Sequence, residues 1–218
     1  MKFTDQQEEI FSRGTANHLK VIAGAGSGKT TSLVEMQKRH RTRALYCPFN
    51  RTIADDAKSK FVGTNCQVST LHGFAWAAVR GQGQSPHKGG AADVRSSGVM
   101  RRVIFPRLAG WGEYRLAAAV NRTVAKFCIS DDARMSEEHA RQALIESVGD
   151  PETLHDAKVR ARAEEALAAL ATPLQDAARL YMKGLIEDRK YTHDVYLKLL
   201  DLSPAMLRSA FAGFQVVY

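Results

Sequence analysis

The sequence has few cysteines, and their spacing suits neither disulfides nor zinc. Three occur in 218 residues, Cys47, Cys66 and Cys128. They are an odd number and lack CxxC or Cys/His spacing. This argues against a disulfide-stapled fold and against a structural zinc site. We expect reduced, partly buried thiols.

Long apolar runs are also missing. No segment approaches the ~18 apolar residues of a membrane span, and no basic and apolar leader precedes the acidic stretch at residues 4–9. A hydrophobic content of 44% is nevertheless enough to form a core. We expect a globular protein of the cytoplasm, associated with the nucleoid and without a membrane partner.

Positive charge is in excess and unevenly distributed. The formal net charge is +8, with an excess of +6 in residues 1–80, +2 in 81–190 and none in 191–218. Such a distribution favours a polyanionic partner near the N-terminal part, although basic proteins without one are common. The basic run at residues 38–43 is interpreted either as a phosphate-binding patch or as a solvated helix end.

The pattern of apolar residues predicts an α/β fold. Short β-prone runs at residues 19–23, 44–47 and 67–70 alternate with helical patterns, which include residues 29–40 and 53–61. This alternation indicates a parallel sheet covered by helices. A first helix is predicted after Thr4, because Thr4 and Gln7 have the spacing of a capping box.

Residues 81–190 differ from the preceding segment in composition and in the pattern of apolar residues. Residues 81–90 are rich in glycine and polar residues and predict a flexible linker or exposed loop. From Val99 to about Ile186 the patterns are helical, clearest at residues 116–127, 136–148 and 156–170. Strand character returns at residues 214–218, where the sequence looks cut. We therefore divide the chain into residues 1–80, 81–190 and 191–218.

A glycine-rich loop between a predicted strand and a predicted helix carries the strongest motif. Glycines let successive backbone N–H groups point at one phosphate, and the following helix adds its positive end. In this pattern Lys29 reaches the β- and γ-phosphates, and the Thr30 hydroxyl binds Mg²⁺. The alternative is a structural turn that carries a lysine by chance. The loop comprises Ala23, Gly24, Ala25, Gly26, Ser27, Gly28, Lys29 and Thr30.

This loop, AGAGSGKT, resembles motif I of the UvrD, Rep and PcrA-like superfamily 1 DNA helicases. The resemblance implies a RecA-like P-loop NTPase domain (1A) with a parallel sheet, interrupted by a helical 1B-like subdomain and ending here at the Walker B strand. It implies ATP and Mg²⁺ as cofactors, with Gln7 contacting adenine; alternatively, Gln7 only completes the capping box with Thr4. Thr31, where many family members have Arg, belongs to the expected ATP site.

Further motifs extend the resemblance. Residues 46–54 (YCPFNRTIA) and 191–199 (YTHDVYLKL) are closest to the F-box DNA helicase branch, and residues 70–74 (TLHGF) resemble the motif after the third strand. The alternatives are that Phe49 packs in the core, that Asn50 or Thr52 caps a helix, and that His72 is a structural hydrogen bonder. The resemblance implies single-stranded DNA contacts by Phe49, Asn50, Arg51, Thr70 and His72.

The family implies ATP-driven translocation on single-stranded DNA and unwinding at single-strand/duplex junctions, by a protein that we expect to be a monomer. The acid pair of motif II is not in the sequence, so the catalytic residues expected here are Lys29 and Thr30. We expect the chain alone to bind Mg-ATP without hydrolysing it, with Asp55 and Asp56 facing solvent. The alternatives are a non-catalytic nucleotide- and DNA-binding module, or another P-loop NTPase such as a kinase.

Overall fold

The computed structural model describes residues 2–14, 18–79, 94 and 112–218. These residues form two compact units. The first contains the described residues up to Val79 together with Ser203–Tyr218, and the second contains those in between, ending at Leu202. The predicted linker at 81–90 and the predicted helical onset at Val99 lie outside the described residues. In the described ranges, no helix combines the length and apolar character needed to cross a membrane.

Most of the described chain is helical. The strands are β1 (Ala44–Tyr46), β2 (Cys66–Val68) and β3 (Val216–Val217). The helices with described bounds are α1 (Asp5–Arg13), α2 (Lys29–His40), α3 (Arg51–Lys60), α4 (Leu71–Val79), α5 (Glu113–Ile129), α6 (Glu137–Val148), α7 (Ala157–Glu187), α8 (His193–Asp201) and α9 (Pro204–Phe211). A 3₁₀ turn, Pro151–Thr153, precedes α7.

The three strands form one parallel sheet in the order β2-β1-β3. Tyr46 of β1 pairs with Val68 of β2, and Leu45 pairs with Val217 of β3 on the other side. Ala44 and Leu45 are fully buried, as expected for a central strand covered on both faces. Because the strands are parallel, the loops that follow them all emerge at the same edge of the sheet. The runs predicted at 44–47 and 67–70 thus pair in parallel as expected, whereas the RecA-like architecture stays a prediction.

The predicted strand at residues 19–23 is wrong. The segment has no regular secondary structure, and its Ile22 side chain is 86% exposed. Leu19, Lys20 and Val21 line a groove of about 640 Å³ together with residues of β3, and no described strand pairs with them. A β-prone run becomes a strand only where a neighbour accepts its ladder hydrogen bonds, so propensity alone was insufficient.

Helices α2 and α3 pack on the sheet in the first unit. Val34 of α2, Ala57 of α3 and Phe61 form a buried cluster. The rings of Tyr46 and Phe61 lie 5.2 Å apart and join this cluster to β1. This packing fixes the C-terminal end of β1, where the motif at residues 46–54 begins. It also fixes α2, which begins at the end of the glycine loop.

The C-terminal segment is anchored in the same unit by aromatic contacts. The Phe74 ring of α4 lies 4.7 Å from the ring of Phe211 and 5.8 Å from that of Phe214. The Tyr218 hydroxyl donates to Gln37 Oε1 at 3.2 Å. These contacts bring β3 alongside β1 although the two strands are far apart in sequence.

The second unit is a helical cluster built from α5 to α8. Its core includes Val120, Leu144, Leu174 and Val195. The predicted helix at 156–170 extends to Glu187 in the structure, through Pro173. The sequence pattern predicted that the chain returns to the first unit at residue 191, but the return is at Ser203. The difference arises because Val195 of α8 is buried in the core of the second unit.

Candidate functional site

The glycine loop turns tightly before α2. Gly26 and Gly28 have φ angles of 73° and 83°, a region that strains residues with a Cβ atom. The Ser27 hydroxyl donates to the Gly24 carbonyl at 2.9 Å and closes the turn. A Cβ atom added at Gly24 or Gly26 would meet nothing within 4 Å. The loop therefore has open space beside its backbone.

The N-terminus of α2 directly follows this loop. Gly28 is its N-cap, no side chain among the described residues caps it, and its first turn contains no acidic residue. By contrast, the N-termini of α1 and α3 are capped by the side chains of Thr4 and Asn50. The first N–H groups of a helix carry its positive end and require acceptors. This helix start is thus suited to an anion.

The Lys29 ammonium lies over the loop. Its Nζ donates to the carbonyl of Ala23 at 3.0 Å and to that of Gly24 at 2.6 Å. Thr30 is half-buried in the first turn of α2. A cation and a helix N-terminus attract phosphate oxygens, and a hydroxyl oxygen beside them can serve as one ligand of Mg²⁺. The residues present therefore fit a magnesium-bound triphosphate.

Gln7 of α1 lies beside the same loop. Its Oε1 accepts the Thr4 backbone N–H at 3.0 Å, so the capping box is present. Its Nε2 donates to the Ser32 hydroxyl at 2.9 Å, and a Cβ at Gly28 would lie 3.6 Å from that nitrogen. The capping interpretation of Gln7 is confirmed, and the adenine contact stays a prediction. Thr31 is exposed on α2.

Ser32 is a neighbour of the loop that sequence reasoning missed. A residue four positions after Gly28 lies one turn further on the same helical face, and this spacing was the available signal. The Ser32 hydroxyl donates to the Gly28 carbonyl at 3.0 Å. The side chain is 9% exposed.

The predicted DNA contacts lie in two loops at one edge of the sheet. Phe49 follows β1 and is 96% exposed, so its alternative placement in the core is wrong. The Arg51 side chain is 94% exposed and lies 3.7 Å from Asp55. His72, exposed at the start of α4, follows β2. An aromatic ring, a guanidinium and an imidazole therefore face solvent at the same sheet edge.

The other two predicted contacts shape these loops. Asn50 Oδ1 accepts the Ile53 N–H at 2.9 Å and caps α3, as its alternative interpretation expected. Thr70 Oγ1 accepts the Gly73 N–H at 3.1 Å at the start of α4. A Cβ at Gly73 would lie 2.9 Å from Ser69 Oγ, so glycine is required for this close approach. The side chains of Asn50 and Thr70 therefore stabilise the backbone of the two loops that carry the exposed predicted contacts.

The carboxylates of α3, Asp55 and Asp56, face solvent, as predicted. Asp55 pairs with Lys58 at 2.8 Å, and Asp56 pairs with Lys60. The Lys58 ammonium holds the pKa of Asp55 below its usual range. These acids are engaged in ion pairs along their own helix.

Comparison with known proteins identifies relatives for this chain, although no family profile and no solved structure matches it. It is 29% identical to F-box DNA helicase protein 1 of Schizosaccharomyces pombe over 200 residues, which cover 84% of the chain and 20% of that protein. It is 26% identical to F-box DNA helicase 1 of Gallus gallus over 227 residues, covering 100% of the chain and 21% of that protein. This chain is a distant relative of DNA helicases.

The chain spans about a fifth of the length of the curated relatives that it matches. The predicted likeness to the F-box DNA helicase branch is confirmed by the names of these two relatives. The wider assignment to the UvrD, Rep and PcrA-like superfamily 1 stays a prediction.

Proposed function

We propose that this chain is the ATP-binding part of a DNA helicase that translocates along single-stranded DNA. The observation that carries the proposal is the glycine loop, which leads into a helix N-terminus without a side-chain cap and is covered by the Lys29 ammonium. The names of the distant relatives support the helicase class. We further propose that the first unit is a RecA-like domain of the superfamily 1 type.

In the proposed nucleotide site, each residue has a distinct role. The N–H groups of the loop and of the first turn of α2 bind phosphate oxygens, Lys29 neutralises the terminal phosphates, and Thr30 is a ligand of Mg²⁺. Bound Mg-ATP supplies the phosphoanhydride whose hydrolysis drives movement in the whole protein. To bind phosphate, the Lys29 ammonium exchanges the carbonyls of Ala23 and Gly24 for phosphate oxygens, which are stronger acceptors.

In the proposed DNA site, Phe49 stacks on a base while Arg51 binds a phosphate. Exposed aromatic rings bind single strands without sequence preference, because every base has a π-face. The excess of +6 in residues 1–80 adds a general attraction for polyanions. The proposed partners are single-stranded DNA and its junctions with duplex, and the proposed working form is a monomer in the nucleoid.

The proposal is tested by two binding measurements on the 218-residue chain. Calorimetric titration with Mg-ATP should show saturable binding at one site. Fluorescence anisotropy with labelled oligothymidine should show binding that Phe49→Ala weakens about 5- to 150-fold, the equivalent of one stacked base. The matched control is Val62→Ala, which removes a 75% exposed apolar side chain outside the two motif loops. Absence of saturable ATP binding, or equal effects of both variants, would contradict the proposal.

A further inference from the structure

Residues 38–43 lie at the edge of the sheet opposite the motif loops. The motif loops follow β1 and β2, whereas this connection leads from α2 into β1. The connections before the other strands lie beside it, because the Asn65 carbonyl accepts the Ala44 N–H at 3.2 Å and the Gln215 N–H donates to the Arg43 carbonyl at 2.8 Å. We call the three exposed cations of this connection the basic edge: Lys38, Arg41 and Arg43.

The charges of the basic edge are not neutralised by the folded unit. Among the residues that the structure describes, their charged groups form no hydrogen bond and no ion pair. Arg39, in the same run, pairs instead with Glu8 and Glu35. The first unit contains six acidic side chains, and five of them are paired with other cations. The sixth, Asp5, lies in the first turn of α1.

The end of α2 accounts for only part of this charge. A cation in the last turn of a helix, such as Lys38, is favoured by the negative helix end. Arg41 follows that turn with φ of 51°, in the left-handed region where glycine is the favoured residue. Non-glycine residues in such conformations are concentrated at functional sites. Since the turn itself would be best served by glycine, the arginine points to a role of its side chain.

The Arg43 guanidinium is held in place and remains exposed. Its Cζ lies 5.3 Å from the centroid of the Phe214 ring. On the side of Gly213, an added Cβ atom would lie 3.1 Å from Nη1, so the guanidinium packs against backbone there. A cation that is already held loses less freedom on binding, and the planar set of N–H groups matches the oxygens of a phosphate.

The basic edge offers cations to phosphates but no exposed ring to bases. The ring packed against Arg43, Phe214, is half-buried, whereas the 96% exposed ring of Phe49 belongs to the opposite edge. Single strands bind largely by stacking their bases on such rings. A duplex keeps its bases inside and carries one negative charge per about 1.7 Å of its axis.

We propose that the basic edge binds the phosphate backbone of duplex DNA, on a surface separate from the motif loops that are proposed to bind the single strand. This inference rests on the proposed function, because it assumes that DNA is the partner. It assigns the two arms of a single-strand/duplex junction to opposite edges of one sheet.

The test measures the salt dependence of binding to a labelled blunt-ended duplex and to labelled oligothymidine, by fluorescence anisotropy with the 218-residue chain. Arg41→Gly keeps the left-handed turn and should lower the slope of log affinity against log salt for the duplex by ~0.9, the equivalent of one phosphate contact. Adding Arg43→Gln should lower it by ~1.8 in total. The slope for oligothymidine should not change. The charge-matched control is Lys183→Ala, on the second unit.

Lys38→Glu is a second variant that leaves the packing of the first unit intact, because the Lys38 ammonium has no contact there to lose. It should lower the duplex slope by ~0.9 or more. Retained Mg-ATP affinity in all variants shows that the first unit is folded.

An unchanged duplex slope in these variants overturns the inference, while their binding of oligothymidine and Mg-ATP leaves the proposed function standing. Equal reductions with duplex and oligothymidine also overturn it, because a general attraction would lower both slopes. A wild-type chain that binds oligothymidine and no duplex overturns the inference alone. A wild-type chain that binds neither DNA overturns both.

Discussion

Arg39 binds both carboxylate oxygens of Glu8, with Nη1 2.7 Å from Oε2 and Nη2 3.0 Å from Oε1. The same guanidinium lies over the Phe11 ring, 4.4 Å from its centroid, and its Nε donates to Glu35 at 2.9 Å. Arg39 of α2 thus contacts α1 in two ways: its planar face lies over the Phe11 ring, and its nitrogens donate to Glu8. This use within the first unit argues against Arg39 as part of a phosphate-binding patch.

The contact between Arg39 and Glu8 should make the docking of α1 sensitive to acid. The hydrogen bond from Arg39 lowers the pKa of Glu8 below its usual 4.5. A lowered pKa in the folded state means that the stabilisation is present above pH 4.5 and is lost as pH falls through the folded value. Glu8→Gln should lower the midpoint of thermal unfolding at neutral pH. In this variant the midpoint should also fall less than in the wild type when the pH is lowered. The effect should be modest, because exposed pairs are screened.

The control for this prediction is Glu9→Gln. Glu9 also lies on α1 and pairs with an arginine, but its partner Arg13 is on the same helix at 2.6 Å. Glu9→Gln should leave the acid sensitivity of the unfolding midpoint as in the wild type. Identical acid profiles for Glu8→Gln and the wild type would show that the link between the two helices has no effect on stability.

Lys29→Ala should weaken binding of ATP far more than binding of adenosine. The ammonium meets phosphates only, and a hydrogen bond to a charged group contributes about 1.5–3 kcal/mol, or about 10- to 150-fold in affinity. Calorimetric titration with the two ligands measures the difference. Lys20→Ala is the matched control, since Lys20 is an exposed lysine that precedes the loop. Equal losses of ATP and adenosine affinity would remove Lys29 from the phosphate site.

Local signals in the sequence predicted several elements well. The predicted helix at residues 29–40 has the same bounds as α2, which directly follows Gly28 of the glycine loop. The capping box of Thr4 and Gln7 is likewise a contact between residues three positions apart. Such features depend on neighbours in sequence and are visible without a structure.

Features that depend on distant residues were not predictable in the same way. The run at 19–23 has strand composition, but pairing requires a neighbouring strand that composition cannot supply. The contact between Gln7 and Ser32 joins residues 25 positions apart. The exposure of Phe49 also depends on which side chains surround it in the folded unit. The sequence therefore indicated which residue types form the candidate site, but it did not indicate which residues contact one another there.

Lys198 should be important for the stability of the second unit. Its side chain is 1% exposed, its Nζ donates to the Ser130 carbonyl at 2.8 Å and lies 3.2 Å from Asp201 Oδ2. Lys198→Ala removes a charge-assisted hydrogen bond and leaves a cavity, and we expect a loss of about 2–4 kcal/mol in unfolding free energy. Urea unfolding followed by helical circular dichroism measures it.

The control for Lys198 is Lys183→Ala on α7. The Lys183 side chain is 70% exposed and lies 3.7 Å from Glu187, so its removal should change stability by no more than ~0.5 kcal/mol. Lys198→Met adds a second comparison, because it keeps most of the volume and removes the charge together with the hydrogen bonds that the ammonium donates. If all three variants unfold at the same urea concentration, the buried ammonium does not stabilise the unit.

Arg51→Ala should reduce the salt dependence of single-stranded DNA binding. A cation that neutralises one phosphate releases counterions, so its loss should lower the slope of log affinity against log salt by ~0.7 for a single strand. Arg51 suits this role because its side chain is 94% exposed and its ion pair with Asp55, at 3.7 Å, is long. Fluorescence anisotropy with oligothymidine at several salt concentrations measures the slope.

Lys58→Ala is the matched control for Arg51, because both cations pair with Asp55 on the same helix. Lys58 lies 2.8 Å from that carboxylate and belongs to the last turn of α3, whereas Arg51 begins the helix at the sheet edge. Both variants change the net charge equally, so a general electrostatic effect would alter both slopes alike. A contact between Arg51 and phosphate should alter only the slope of Arg51→Ala. An unchanged slope in that variant would exclude Arg51 from the DNA site and leave Phe49 to be tested alone.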